Sequence, residues 1–121
     1  MKKILIIEDD TILQRMYYTL LTNAGFKVRV EENGRKGLSS LTEETPDLIL
    51  LDIMLSDRMN GFDVLEKLQR GESTKDIKVL ILTNLDSEER TAKEIGAVDY
   101  LVKVKTKPEE VIARIKDILK N

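Results

Sequence analysis

The chain has 121 residues, a length typical of one domain, and its 20 basic and 22 acidic side chains leave a formal net charge of −2. It contains no cysteine and no histidine, which excludes disulfides, zinc sites built on thiolate or imidazole, and Ser-His or Cys-His nucleophilic catalysis. Since no basic face stands out, nucleic acid is not a predicted partner, and any bound metal must take oxygen ligands, with Mg²⁺ the leading candidate.

The sequence shows no signal for export or membrane insertion. Two lysines and four apolar residues stand near the start, but acidic residues follow before the apolar run reaches the roughly 7–15 residues of a signal peptide. No stretch approaches the roughly 20 apolar residues of a membrane span. We predict a soluble, cytoplasmic protein with no membrane partner. We also predict a single domain over residues 1–121, because no repeat or linker divides the chain.

Apolar runs of the strand type alternate with helical patterns five times along the chain. The predicted strands are residues 3–7, 27–30, 48–51, 77–82 and 98–102, and the second is polar enough to lie at an edge. The predicted helices follow residue 10, span residues 34–42, begin at residue 61, run from residue 86 to about residue 96, and begin after residue 106. Such strict alternation indicates a parallel α/β sheet with helices on both faces and right-handed crossovers.

Capping residues are predicted at both ends of the first helix and at two later helix starts. Asp10 suits the N-cap of the first helix and Gly25 its end. The apolar stripe predicted to face the core consists of Ile12, Leu13, Met16, Tyr17, Leu20, Leu21 and Ala24. Capping boxes are predicted at the starts of the last two helices, formed by Asp86 with Glu89 and by Thr106 with Glu109.

Side chains that carry chemistry follow the predicted strands directly. They are Glu8 and Asp9 after the first strand, Asp52 after the third, Thr83 after the fourth and Lys103 after the fifth. Because the carboxyl ends of parallel strands meet at one edge of a sheet, where open α/β sheets bind their ligands, we expect these side chains to converge. Clustered carboxylates repel one another, so a divalent cation is their natural compensation.

This set of side chains suits phosphoryl transfer. With Mg²⁺ held by Asp9 and Asp52, the cation and Lys103 would neutralise the phosphoryl oxygens, and Thr83 would donate a hydrogen bond. Asp52 is then the candidate nucleophile, forming an acyl phosphate without a general base because a carboxylate is ionised at pH 7. The sequence has no glycine-rich phosphate loop, so we expect the phosphate to come from a donor rather than from bound nucleotide.

Several motifs occur in an order that resembles the receiver domain of bacterial two-component response regulators, of the stand-alone, single-domain type. The matching segments are residues 4–10 (ILIIEDD), 46–55 (PDLILLDIML), 61–62 (GF), 82–83 (LT), 96–97 (GA) and 99–103 (DYLVK), which together cover nearly the whole chain. The resemblance implies a flavodoxin-like (βα)5 fold, a doubly wound parallel sheet with strand order 2-1-3-4-5.

The resemblance also implies the chemistry of the site. Asp52 would accept a phosphoryl group from a histidine kinase or phosphotransfer protein in a Mg²⁺-dependent reaction. Glu8 and Asp9 would hold Mg²⁺ together with Asp52 and the backbone carbonyl of Met54. The chain would then be a phosphorelay signalling domain rather than an enzyme, with at most slow autodephosphorylation.

A conformational switch is implied in the same way. Thr83 and Tyr100 look like the switch pair, the hydroxyl moving toward the phosphate and the ring turning inward. Lys103 matches the lysine that contacts the phosphoryl oxygens. Since the sequence stops after the last predicted helix, the output is expected to pass to a downstream protein target or through a further phosphotransfer.

Three features depart from the family pattern. The loop of residues 56–60 is longer than usual and has no proline, which bears on partner fit and metal geometry. Asn84 replaces a small residue and would restrict access to the phosphate or hydrogen-bond to it. Val104 replaces a proline that often follows a cis peptide bond. Because a cis bond before a residue other than proline costs about 2.5–4 kcal/mol, we predict a trans peptide between Lys103 and Val104. The fourth helix is also predicted to be short.

Two other functions stay open from the sequence. A pseudo-receiver would bind partners without phosphorylation; the intact site argues against it, while Asn84 and Val104 leave it some room. A Mg²⁺-dependent phosphohydrolase with an aspartyl nucleophile typically carries a second Asp two residues after the first, where this chain has Met54.

Overall fold

The strands form one parallel sheet. The computed structural model describes residues 1–120, in which the strands are β1 (Lys3–Ile7), β2 (Lys27–Glu31), β3 (Leu48–Leu51), β4 (Lys78–Thr83) and β5 (Asp99–Val102). They pair in the order β2-β1-β3-β4-β5, all parallel. This order confirms the predicted flavodoxin-like sheet, and β2 lies at an edge as its polar sequence indicated. The predicted strand bounds agree with the observed ones to within one residue.

Helices cover both faces of the sheet. They are α1 (Thr11–Asn23), α2 (Gly34–Ser40), α3 (Gly61–Arg70), α4 (Glu89–Ile95) and α5 (Pro108–Ile118), with a 3₁₀ turn, Lys103–Lys105, between β5 and α5. The side chains of α1 and α5 pack into one buried cluster, and those of α2, α3 and α4 into another. In residues 1–120 no helix has the length and apolar character needed to span a membrane.

The central strand β3 explains why this sheet is buried on both faces. Leu48 and Leu50 belong to the cluster under α1 and α5, whereas Ile49 and Leu51 belong to the cluster on the opposite face. Each side chain is at most 3% exposed, and burial of this kind contributes about 1.5–3 kcal/mol per side chain. The strand therefore has no face left for a polar residue, and the first carboxylate stands just beyond its end.

The first helix has the predicted caps, and its buried face lies within the predicted stripe except at Ile12. Asp10 Oδ1 accepts hydrogen bonds from the N–H groups of Ile12 and Leu13, at 2.9 and 3.1 Å. Gly25 follows the helix with φ 97°, the left-handed conformation that ends helices and favours glycine. The prediction that Ile12 faces the core is wrong, because its side chain is 77% exposed on the first turn. The buried face consists of Leu13, Met16, Tyr17 and Leu21.

The two predicted capping boxes are wrong in register. Helix α4 begins at Glu89 with Glu88 as N-cap residue, so Asp86 lies too far upstream to cap it and instead faces Lys105. Thr106 does not cap α5 with Glu109. Pro108 takes the first helical position, where a missing N–H costs nothing, and this makes Lys107 the N-cap. Glu110 then accepts the Lys107 N–H at 3.2 Å.

Two predictions about the second half of the chain are confirmed. Helix α4 has only seven residues and ends at Ile95, before the C-cap residue Gly96, whose φ of 146° lies in the left-handed region. No peptide bond between residues 1 and 120 is cis, so the bond before Val104 is trans as predicted.

Candidate functional site

The carboxyl ends of the two central strands bring three acidic side chains together. Glu8 and Asp9 follow β1, Asp52 follows β3, and these strands are paired neighbours. Each residue offers one carboxylate oxygen, and the three oxygens lie within 4.8 Å of one another. The predicted convergence of these acids is therefore observed. Glu8 and Asp52 are buried, whereas Asp9 is partly exposed, so the cluster opens to solvent on one side.

The Lys103 ammonium lies between two of these carboxylates. Its Nζ is 2.7 Å from Asp52 Oδ2 and 2.8 Å from Glu8 Oε1. Burial opposes the charge on Lys103, but hydrogen bonds to both carboxylates prevail and raise its pKa. Burial raises the pKa of Glu8, and the hydrogen bond from Lys103 offsets this only in part. Three carboxylates against one ammonium leave two negative charges uncompensated in the cluster.

Backbone N–H groups fix the orientation of each carboxylate. Glu8 Oε2 accepts from the Asp10 N–H at 3.1 Å, and Asp52 Oδ1 accepts from the Met54 N–H at 3.0 Å. Asp9 Oδ2 accepts from the Ser56 N–H at 2.9 Å. Burial acts to raise the pKa of Asp9, but the hydrogen bonds from Ser56 outweigh it and lower that pKa. The acids are thus held in place before any ligand arrives.

The long loop after β3 closes back onto the site. Ser56, its first residue, is the one that binds Asp9, and at its far end the Gly61 N–H donates to the Ile53 carbonyl at 2.9 Å. A Cβ at Gly61 would overlap the backbone carbonyl oxygen of Asp52. The close approach of α3 to the Asp52 backbone therefore requires glycine at this position.

Thr83 and Tyr100 are linked through the backbone of Leu85. The Thr83 side chain is fully buried, and its Oγ1 accepts the Leu85 N–H at 3.4 Å. The Tyr100 hydroxyl donates to the carbonyl oxygen of the same residue, and its ring is only 5% exposed. Burial raises the pKa of Tyr100. The Tyr100 ring therefore lies inward in this structure, in contact with the loop that follows Thr83.

Sequence reasoning missed the residues that act through their backbone. Ser56 and Leu85 contribute N–H or carbonyl groups, which carry no side-chain signature in a sequence. Gln14 was also missed; its amide donates to the Glu8 carbonyl at 2.5 Å. Its position one turn after Asp10 on α1 was the available signal, because that turn faces the end of β1.

The donor set fits a hard divalent cation. Carboxylate oxygens from three residues in one cluster, with an excess of negative charge, are the ligands that Mg²⁺ prefers. The backbone of Met54 adjoins the cluster, since its N–H contacts Asp52, while its side chain is 53% exposed.

Comparison with known proteins gives a consistent family. A family model described as the response regulator receiver domain matches residues 4–116. The transcriptional regulator RpaA from Synechocystis is 39% identical over 99% of this chain, and PhoB from Pseudomonas aeruginosa is 35% identical over 98% of it. The chain spans about half the length of these relatives, covering 50% and 52% of them.

Solved structures of the same family superpose closely on this fold. A response regulator from Chloroflexus aurantiacus has a TM-score of 0.90 and 30% identity, with 99% of this chain and 98% of that chain covered. The BeF3-activated receiver domain of RstA from Klebsiella pneumoniae has a TM-score of 0.87 and 31% identity, covering 99% and 100%. Fold, family model and relatives agree: this chain belongs to the response regulator receiver domain family, a family of signalling domains of two-component systems.

Proposed function

We propose that this chain is a phosphoacceptor switch in which Asp52 takes a phosphoryl group from a histidine kinase or a histidine-containing phosphotransfer protein. The observation that supports it most is the environment of Asp52. Its carboxylate is buried at the end of the central strand, with the Met54 N–H on one oxygen and the Lys103 ammonium on the other. A carboxylate held in this way is oriented for attack and has a cation beside it.

The transfer needs few groups. An ionised Asp52 oxygen forms the new bond to phosphorus while the P–N bond of the donor phosphohistidine breaks, and the electron pair leaves on the imidazole nitrogen. No general base is required, because a carboxylate nucleophile has no proton to give up. Lys103 stays beside Asp52 and neutralises charge on the phosphoryl oxygens. Thr83, at the end of the neighbouring strand β4, donates its hydroxyl to one of them.

A Mg²⁺ ion completes the proposed site. Its ligands would be Glu8, Asp9, Asp52 and the Met54 carbonyl, and two uncompensated negative charges among these residues support the assignment. Bound Mg²⁺ would supply the positive charge that lets a phosphoryl group approach several carboxylates. The chain's own residues hold this arrangement through the N–H groups of Asp10, Met54 and Ser56.

Phosphorylation would be read out through Thr83 and Tyr100. When the Thr83 hydroxyl turns to the phosphoryl group, it gives up its contact with the Leu85 N–H, and Leu85 is also the residue that holds the Tyr100 hydroxyl. The population of inward Tyr100 then depends on phosphate, which changes the surface offered to a downstream protein. We propose that residues 1–121 form a single receiver domain and that it acts in the cytoplasm. Slow autodephosphorylation of Asp52 would return it to the unphosphorylated state.

One experiment separates this proposal from the alternatives. The protein is incubated with Mg²⁺ and acetyl phosphate, and its intact mass is recorded over time beside that of Asp52→Asn. A lasting adduct of one phosphoryl group, absent from the variant, is the expected result. No adduct would favour an interaction module that works without phosphorylation. Rapid release of phosphate from other phosphoesters, supplied in place of acetyl phosphate, would favour a phosphohydrolase.

A further inference from the structure

Lys103 lies just outside the paired part of the sheet. The last register pair between β4 and β5 is Thr83 with Val102, and Lys103 opens the 3₁₀ turn that follows. Its ammonium must nevertheless reach two buried carboxylates at 2.7 and 2.8 Å. A displacement of the 3₁₀ turn would move the Lys103 ammonium with it. The backbone of the turn therefore needs a contact that holds it in place outside the β4–β5 pairing.

Asn84 provides such a contact. It is the first residue after β4, and its Oδ1 accepts the backbone N–H of Val104 at 3.2 Å. The hydrogen bond joins the loop after β4 to the residue that directly follows Lys103. Both partners are exposed, so neither is placed there by core packing. The contact uses two departures from the family pattern at once, because a proline in place of Val104 would have no N–H to donate.

A second contact between the same segments is weaker. Lys105 Nζ lies 3.8 Å from Asp86 Oδ2, and the two side chains are 67% and 63% exposed. Exposed ion pairs of this kind contribute little to stability. The stronger and more directional contact between the loop after β4 and the turn after β5 is therefore the hydrogen bond accepted by Asn84.

We propose that Asn84 is a positioning residue for phosphoryl transfer. Its side-chain carbonyl holds the Val104 backbone and thereby keeps the Lys103 ammonium beside Asp52. The effect of Asn84 on the rate of phosphorylation rests on the proposed function. Its effect on the position of the Lys103 ammonium does not, because that contact exists without phosphate or metal. It differs from the two roles considered for Asn84 from the sequence, which both required contact with, or shielding of, the phosphate.

Phosphorylation by acetyl phosphate with Mg²⁺ tests the acceptor role against a shielding role. Asn84→Leu keeps the volume but removes the acceptor, and Asn84→Ala removes both. We expect both variants to be phosphorylated about five-fold more slowly, the effect of one hydrogen bond. Asp86→Asn, on the same loop, is the matched control and is expected to match the wild type. A wild-type rate in Asn84→Leu would overturn the proposal, since bulk alone would then suffice.

A double-mutant cycle tests the partner of Asn84. Val104→Pro removes the N–H donor, so adding Asn84→Leu to it is expected to change the rate by less than about two-fold. Circular dichroism first establishes that each variant is folded. Full additivity of the two effects would overturn the proposal, because Asn84 would then act through some other group.

A final measurement reads the position of Lys103 directly. In the metal-free, unphosphorylated protein, the ¹⁵N-detected ammonium signal of Lys103 is assigned by its loss in Lys103→Arg. We expect the signal to be protected from solvent exchange in the wild type, broadened in Asn84→Leu and recovered in Asn84→Asp, which keeps an acceptor oxygen. An unchanged signal in Asn84→Leu would overturn the proposal. If the Lys103 signal changes across the variants as expected but the wild-type protein is not phosphorylated, the result contradicts the proposed function and not the positioning role of Asn84.

Discussion

Lys103 Nζ lies 2.7 Å from Asp52 Oδ2. This contact joins the turn after the edge strand β5 to the residue that follows the central strand β3. The same ammonium contacts Glu8, and the side chains of the two acids are only 4% and 7% exposed. This one cation therefore forms an ion pair with each of two buried carboxylates. The contact links the folding stability of the protein to its proposed chemistry.

Replacing Lys103 should cost stability. Lys103→Met keeps much of the aliphatic volume but leaves the carboxylates of Glu8 and Asp52 without their cation. Removing one partner of a buried ion pair typically costs about 3–5 kcal/mol, so we expect the free energy of unfolding at pH 7 to fall by about 3 kcal/mol. Urea unfolding measures it. Lys105→Met, at an exposed neighbour, should change it by less than about 0.5 kcal/mol. Equal losses in the two variants would contradict this prediction.

Mg²⁺ should stabilise the protein through the acidic cluster. A ligand that binds only the folded state at a hundred times its Kd adds about 2.7 kcal/mol, which raises the Tm. We expect most of this increase to disappear in Asp9→Asn, which removes one of the three clustered carboxylates. Asp57→Asn, in the nearby loop but outside the cluster, should keep the response. Differential scanning calorimetry at constant ionic strength gives both values, and a Tm that ignores Mg²⁺ in the wild type would argue against a metal site.

Gly61 should tolerate no side chain. In Gly61→Ala the new Cβ would overlap the Asp52 carbonyl and the Ile53 Cα, which are backbone atoms that cannot rotate away. Overpacking of this kind costs about 1–3 kcal/mol, and the shift of Asp52 should also slow phosphorylation. Gly71→Ala is the control for the kinetics, because a Cβ there meets the Thr74 hydroxyl, which would give up its hydrogen bond to the Leu68 carbonyl at 2.7 Å, and not the Asp52 backbone. Chemical unfolding and acetyl phosphate kinetics of both variants check the result, and unchanged kinetics in Gly61→Ala would refute it.

The burial of Tyr17 should make the free energy of unfolding fall at alkaline pH. Burial raises the pKa of this phenol, and the nearby Glu8 charge adds to the effect while Lys103 opposes it. A folded-state pKa above the unfolded value of about 10 gives stability that is complete below pH 10 and lost as pH rises through the folded pKa. The free energy of unfolding of the wild type should therefore fall relative to Tyr17→Phe above pH 10, while their difference stays constant between pH 7 and 9.

The matched control for this titration is Tyr18→Phe, which removes a phenol from the neighbouring, 46% exposed position. Its difference from the wild type should not follow the Tyr17 curve. Parallel curves for the two variants would show that burial of Tyr17 is not the cause.

The fold and the meeting of the acids were predictable because both depend on short, strong patterns. A run such as Leu48–Leu51 has no polar position, and between Pro46 and a polar loop it is typical of a strand buried on both faces. Once the strands are parallel, residues that follow them must share one edge, which places Glu8, Asp9 and Asp52 together. The strand order required the family resemblance, because alternation of strands and helices is compatible with several orders.

The details that the sequence did not predict depend on exact position. Asp86 and Thr106 have good capping chemistry, but the observed N-cap residues lie two positions and one position later, at Glu88 and Lys107. Propensity alone does not decide between neighbouring candidates. Ile12 follows the helical period of α1 yet is 77% exposed, whereas its neighbour Leu13 packs against the core. The contact between Asn84 and Val104 joins residues twenty positions apart, and only the end of the β4–β5 pairing brings them together.

The most direct test of the central claim is to locate the phosphoryl group. After incubation with acetyl phosphate and Mg²⁺, borohydride reduces an aspartyl phosphate to homoserine, which peptide mass spectrometry places in the sequence. We predict homoserine at position 52 alone, in an amount that follows the intact-mass adduct. Homoserine at any other aspartate, or an adduct that yields none at position 52, would contradict the assignment of Asp52 as the phosphoryl acceptor.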